Sequence, residues 1–128
     1  MTLHRRRGFT LIELLIVTVI IGILAAIAVA AFNSTKGKAN FAAMKSDLHN
    51  LSTAEEGFFY EHRHYTADLD SLKLRKSRGV VLTVNEATGN GWSATTTHPE
   101  SWPHLCTLYY GAATPIAPAT VEGVIACQ

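Results

Sequence analysis

Charge is what this chain has least of. Of its 128 residues only 16% are Asp, Glu, Lys or Arg, while 48% are apolar; soluble domains average about 25% charged. Eleven basic and ten acidic side chains leave a net charge of +1. That excludes a strongly basic nucleic-acid binder and an acidic disordered tail. Catalytic and metal signatures are missing too. No glycine loop for phosphates and no Gly-x-Ser-x-Gly elbow occurs, and the spacing of Ser, His and Asp marks no triad. His62, His64, His98 and His104 have no cysteine or carboxylate cluster to complete a zinc set and read as surface groups. Asp68 and Asp70 lack the glycine and distant glutamate of a calcium loop. The chain reads as no enzyme, with no cofactor and no metal.

What is present lies at the N-terminus. From Phe9 to Phe32 run 24 residues with a single charge, Glu13, and no proline. As a helix at about 1.5 Å per residue they span about 36 Å, enough for a bilayer core of about 30 Å. A domain this small could hardly bury such a helix on every side. Arg5, Arg6 and Arg7 precede the run, and only Lys36 and Lys38 follow closely. The positive-inside bias keeps the N-terminus cytoplasmic and sends the rest across the membrane. A cleaved secretory signal, cut near Ala25–Ala31, is the competing reading. Its apolar core is usually about 7–15 residues, shorter than the run here.

Arg5-Arg6-Arg7-Gly8 followed by Phe9-Thr10-Leu11-Ile12-Glu13 resembles the class III signal of type IV prepilins and pseudopilins, and Ala31-Phe32-Asn33 extends the likeness. The resemblance implies that residues 1–8 are a leader, cut by a prepilin peptidase between Gly8 and Phe9. It also implies N-methylation of Phe9 and retention of residues 9–32 as a helix in the membrane and then in a filament core. A carboxylate at membrane depth asks for a partner. For Glu13 the resemblance supplies the Phe9 amine of a neighbouring subunit, a pair that would set the register between subunits. The implied partners are copies of the chain itself, inner-membrane lipids before assembly, the peptidase and the assembly machinery. The implied location is the bacterial inner membrane, then an extracellular pilus. Pilins of this kind often break the helix with a proline where this chain has Ala30, so a straighter helix is expected, with Gly22 its weak point.

Past the membrane segment, residues 33–128 read as a periplasmic or extracellular head. Phe41, Met44, Leu48, Leu51 and Phe58 form one helical stripe to about residue 62, with Lys45, Asp47, Asn50 and Glu55 off it. Asn33, Ser34, Thr35 and Gly37 are poor helix formers, and a bend or frayed turn is expected there. Asn33 and Asn50 match the N-glycosylation pattern, which recurs by chance. A short turn capped by Thr66 or Asp68 follows, then a basic run, Lys73, Arg75, Lys76 and Arg78, that reads as a solvated loop. It is the one feature that could touch DNA or a surface, and nothing else supports a nucleic-acid partner. Strands are expected at 79–84, 92–98 and 105–110, with a turn at 85–91 and a short edge within 121–127. The fold class is α+β, a long N-terminal helix on a small antiparallel sheet, which is also the pilin fold. Cys106 and Cys127 are the only cysteines. An even count in an exported segment favours a disulfide, in keeping with the disulfide-bounded loop of many pilins and unlike the calcium-bound major pseudopilin of general secretion.

These readings converge on a structural subunit of a type IV pilus. A minor pilin or a pseudopilin of a type II secretion or DNA-uptake machine is the alternative, and a membrane-anchored binding module remains open. Removing residues 1–8 takes three of the eleven basic side chains with it, leaving eight against ten acidic ones and a net charge of −2.

Overall fold

The computed structural model describes residues 8–128; Arg5, Arg6 and Arg7 of the expected leader lie outside the described residues. The described chain forms a unit ending at Thr35 and a head from Lys36 to Gln128. In chain order the elements are α1 (Leu11–His62), β1 (Val81–Ala87), β2 (Gly91–Thr97), β3 (Leu105–Gly111) and β4 (Ala126–Cys127).

Helix assignment carries through Asn33, Ser34, Thr35 and Gly37, so the frayed turn expected there does not form. The Thr35 hydroxyl donates back to the Ala31 carbonyl at 3.0 Å, which absorbs one polar group inside the helix. Arg63, with φ of 63°, ends α1. A left-handed residue after the last turn halts propagation.

In the head, α1 buries Met44, Leu48 and Leu51 completely against Leu82 of β1, Trp92 and Ala94 of β2, and Cys106 and Leu108 of β3. Each such side chain contributes about 2–3 kcal/mol of burial. Phe41 and Phe58 are half-buried. The expected stripe needs correction at two positions, because Asp47 (2% exposed) and Glu55 (0%) lie on the buried side. Residues 44, 47, 48, 51 and 55 are spaced by three and four, so all five share one face. Asp47 is satisfied there by Ser77, whose N–H and hydroxyl both donate to it at 2.8 Å. That pair ties the basic loop to the helix.

The sheet is an antiparallel meander in the order β1-β2-β3-β4. β1 runs three residues beyond the expected strand, taking Asn85, Glu86 and Ala87 out of the expected turn. The register with β2 slips between Val84 and Glu86, a bulge at Asn85 whose side-chain oxygen accepts from the Thr95 hydroxyl. The turn shrinks to residues 88–90. Gly111 closes the far end of β3 with φ of 63°, and a Cβ there would stand 2.1 Å from the Asn90 carbonyl oxygen. β4 has only two residues, because residues 112–125 cross the face opposite α1 instead of pairing. Thr107 anchors them. Its hydroxyl donates to the Ile116 carbonyl and accepts from Ala119 N–H, both at 3.0 Å. The Tyr109 hydroxyl adds a bond to the Thr120 carbonyl at 3.2 Å. Ser93 and Thr107 are thereby buried on a face that alternation alone would leave to solvent.

Candidate functional site

Gly8, Phe9 and Thr10 precede α1, outside the helix and exposed. Exposed backbone outside a helix is what a peptidase needs, and a Cβ at Gly8 would meet nothing within 4 Å. The helix then starts on a capping box. Glu13 N–H donates to the Thr10 hydroxyl at 3.3 Å, while Thr10 N–H and the Thr10 hydroxyl both donate to Glu13 Oε2 at 2.8 Å. Thr10 is thus the cap and Glu13 the residue three places on, each satisfying a donor of the other. The carboxylate also complements the positive end of the helix dipole. Only Oε2 is used. Glu13 Oε1 accepts no hydrogen bond among the described residues, so the same carboxylate can hold the cap and still face a cation.

Thr10 is the residue that the apolar reading passes over. Its signal was present, since Thr10-Leu11-Ile12-Glu13 fits the capping-box pattern before an apolar run.

Beyond this mouth, the apolar part of the helix is left uncovered among the described residues. Phe9 and Leu11 are 83% exposed, Ile27 66% and Phe32 69%. A stretch of α1 is long and apolar enough to cross a membrane, and none of it is buried within the chain. Contiguous apolar surface on this scale marks a lipid-facing or protein-facing element.

The head holds the other expected site residues. Cys106 and Cys127 are direct cross-strand partners and form a disulfide. The bond fixes the C-terminal edge and, with Thr107, the segment that covers the back of the sheet. Among the described residues no group of three or more His, Cys, Asp or Glu is placed to hold a metal ion. His62 stacks on Phe58 with centroids 4.1 Å apart, and His64 Nδ1 lies 3.0 Å from the His62 carbonyl oxygen. His98 departs from the surface reading, being only 5% exposed. Glu55 Oε2 accepts from Thr66 N–H at 3.1 Å, and its Oε1 is buried with no partner among the described residues. Burial pushes its carboxyl up to about 7 against the pull of the Thr66 bond, and the neighbouring Glu56 charge adds to the rise.

Comparison with known proteins agrees with this geometry. Residues 3–29 match the prokaryotic N-terminal methylation motif. The chain is 43% identical over 75 residues to the type IV major pilin protein PilA of Myxococcus xanthus, covering 59% of this chain and 34% of that one. It is 34% identical over 78 residues to the type II secretion system core protein G of Pectobacterium carotovorum, covering 61% and 50%. The Escherichia coli K12 core protein G is 38% identical over 69 residues, covering 54% and 48%. The matched stretch thus spans a third to a half of these relatives' own length. The chain thus carries that motif at its N-terminus and is similar, over 54–61% of its own length, to a type IV major pilin and to two type II secretion core proteins.

Proposed function

We propose that the chain is a structural subunit of a type IV pilus, made as a membrane-held precursor and assembled through α1. One observation carries this reading: the apolar half of α1 has no covering side chain among the described residues, yet it starts on a single carboxylate with one oxygen unused there. In the membrane, lipid covers that surface. After leader removal between Gly8 and Phe9, copies of the same helix cover it. The new Phe9 amine, methylated and still cationic, is the charge that fits Glu13 Oε1 of a neighbour. Because Oε2 stays in the Thr10 cap, docking need not unwind the helix start. The attraction strengthens as water leaves the filament core. An uncompensated Glu13 there would cost about 3–5 kcal/mol. Mechanism here means ordered polymerisation. Arg5, Arg6 and Arg7 hold the leader on the cytoplasmic side for cutting, and the heads tile the outside.

A pseudopilin role is the second reading, favoured by the likeness to two secretion core proteins. The disulfide-closed edge of the head supports the pilin reading. The test is a Glu13→Ala precursor. It should be cleaved normally and enter the membrane, while surface filament falls at least tenfold. Normal filament yield from Glu13→Ala would overturn the assembly role. Sheared surface filaments built mainly of this chain favour the major pilin, and trace amounts within filaments of another subunit favour the minor role.

A further inference from the structure

A cleft of about 570 Å³ opens in the head, between the first turns of its helical segment and the loops before β1 and after β2. Lys36 and Asn40 come from α1, Arg78 and Gly79 from the first loop, and His98 and Glu100 from the second. The one carboxylate is already paired. Glu100 is the one carboxylate in the lining and is held by the Lys36 ammonium at 2.8 Å, which keeps its carboxyl below the usual range. Asn40 donates to the Glu100 carbonyl at 3.3 Å.

Two donors of the lining, Arg78 and His98, have no such partner among the described residues. Arg78 is in no ion pair among the described residues. His98 is 95% buried, counting from its 5% exposure, and its Nδ1 accepts from Glu100 N–H at 3.1 Å. That bond requires Nδ1 to be unprotonated, so the ring proton sits on Nε2. Nε2 makes no hydrogen bond among the described residues. It passes over Gly79, where φ is 81° and a Cβ would stand 2.4 Å from Nε2. Glycine therefore makes room for the ring. Nε2–H is thus a donor without a protein partner among the described residues, in a ring that lines the same cleft as Arg78.

We propose that this cleft binds an anion of the phosphate class, with the Arg78 guanidinium on two oxygens and His98 Nε2–H on a third. A tetrahedral oxyanion supplies the acceptors that Arg78 and His98 lack, and the planar guanidinium matches two of its oxygens. The anion can be free phosphate or the phosphodiester of an anionic lipid headgroup, one with no choline cation to neutralise it. Lys36 follows Phe32, the last residue of the apolar run, by four positions in the sequence, which places headgroups within the reach of a membrane-held subunit. The headgroup source rests on the membrane-held reading above; the free-phosphate source does not.

The test uses the full chain with its histidine rings labelled with 15N. In phosphate-free detergent micelles, inorganic phosphate is titrated while the His98 ring resonances are followed by NMR. In a second arm the chain sits in phosphatidylcholine nanodiscs with and without phosphatidylglycerol. A saturable His98 shift with inorganic phosphate identifies a free-anion site, and one with phosphatidylglycerol alone identifies the headgroup. In either case Arg78→Gln, an exposed change, should weaken binding about tenfold, while Lys38→Gln, outside the cleft, should not. No saturable shift in either arm, or an Arg78→Gln chain that binds as tightly as wild type, overturns the proposal.

Discussion

The stretch from Phe9 to Thr35 and the head from Lys36 onward obey opposite rules. In the first, leucines, isoleucines and valines face outward and the one ionised group is used locally, in a helix cap. In the second, apolar groups face inward, and the carboxylates Asp47 and Glu55 are buried among them. The first leaves its apolar surface uncovered among the described residues, and on the proposed function lipid or copies of itself cover it. The second is closed by its own core and by a disulfide. On the proposed function, assembly depends on the first and independent stability on the second.

That division can be broken by moving energy in one region and reading the other. The largest effect is expected at Glu13, where assembly should fail and head stability should not change, since distant sites add nearly independently. Next is the disulfide. A Cys106→Ser/Cys127→Ser double variant should lose about 3 kcal/mol of head stability in urea, as expected for a closed loop of this size, and the reduced wild type should show the same loss. Asp47→Ala should cost about 2 kcal/mol in the same assay, because it strips an acceptor from Ser77 N–H and hydroxyl.

Glu55 acts through pH. Its folded carboxyl titrates near 7, above the unfolded value of 4.5. Between those values the folded state holds a proton that the unfolded state has lost, so stability falls as pH rises from 4.5 to 7 and levels off above. Glu55→Gln keeps the Thr66 acceptor and removes the charge. It should be more stable than wild type by about 1–2 kcal/mol at pH 7.5, with a flatter pH profile and little gain at pH 4. Equal slopes for the two proteins would contradict the assignment. The smallest effect is at Thr10→Ala. Loss of the cap should cost about 1 kcal/mol of local helix, seen as faster amide exchange at residues 11–14 with no change in head melting.

The elements with one dominant signal were legible in the sequence. The apolar run and the stripe at Met44, Leu48 and Leu51 foretell α1, and the β-branched stretches foretell the meander. Signals carried by polar groups were harder to read. A stripe defined by apolar residues alone omits Asp47 and Glu55, although their spacing shares its face, because burial of a carboxylate depends on a distant partner such as Ser77 or Thr66. The bulge at Asn85 is set by Thr95 across the ladder, so local turn propensity mistakes strand for loop. The covering of the sheet's far face by residues 112–125 depends on Thr107, an ordinary strand residue by composition. At the N-terminus the cap pattern was legible, but an apolar context draws the eye to Glu13 alone and past Thr10.

The central claim is that the outward-facing apolar helix stays with the mature protein and begins it. Intact-mass and N-terminal analysis of the chain isolated from surface filaments or membranes tests this most directly. The account predicts a mature chain without residues 1–8, starting at a methylated Phe9. A chain starting at or beyond Phe32, with the apolar segment gone, would contradict it.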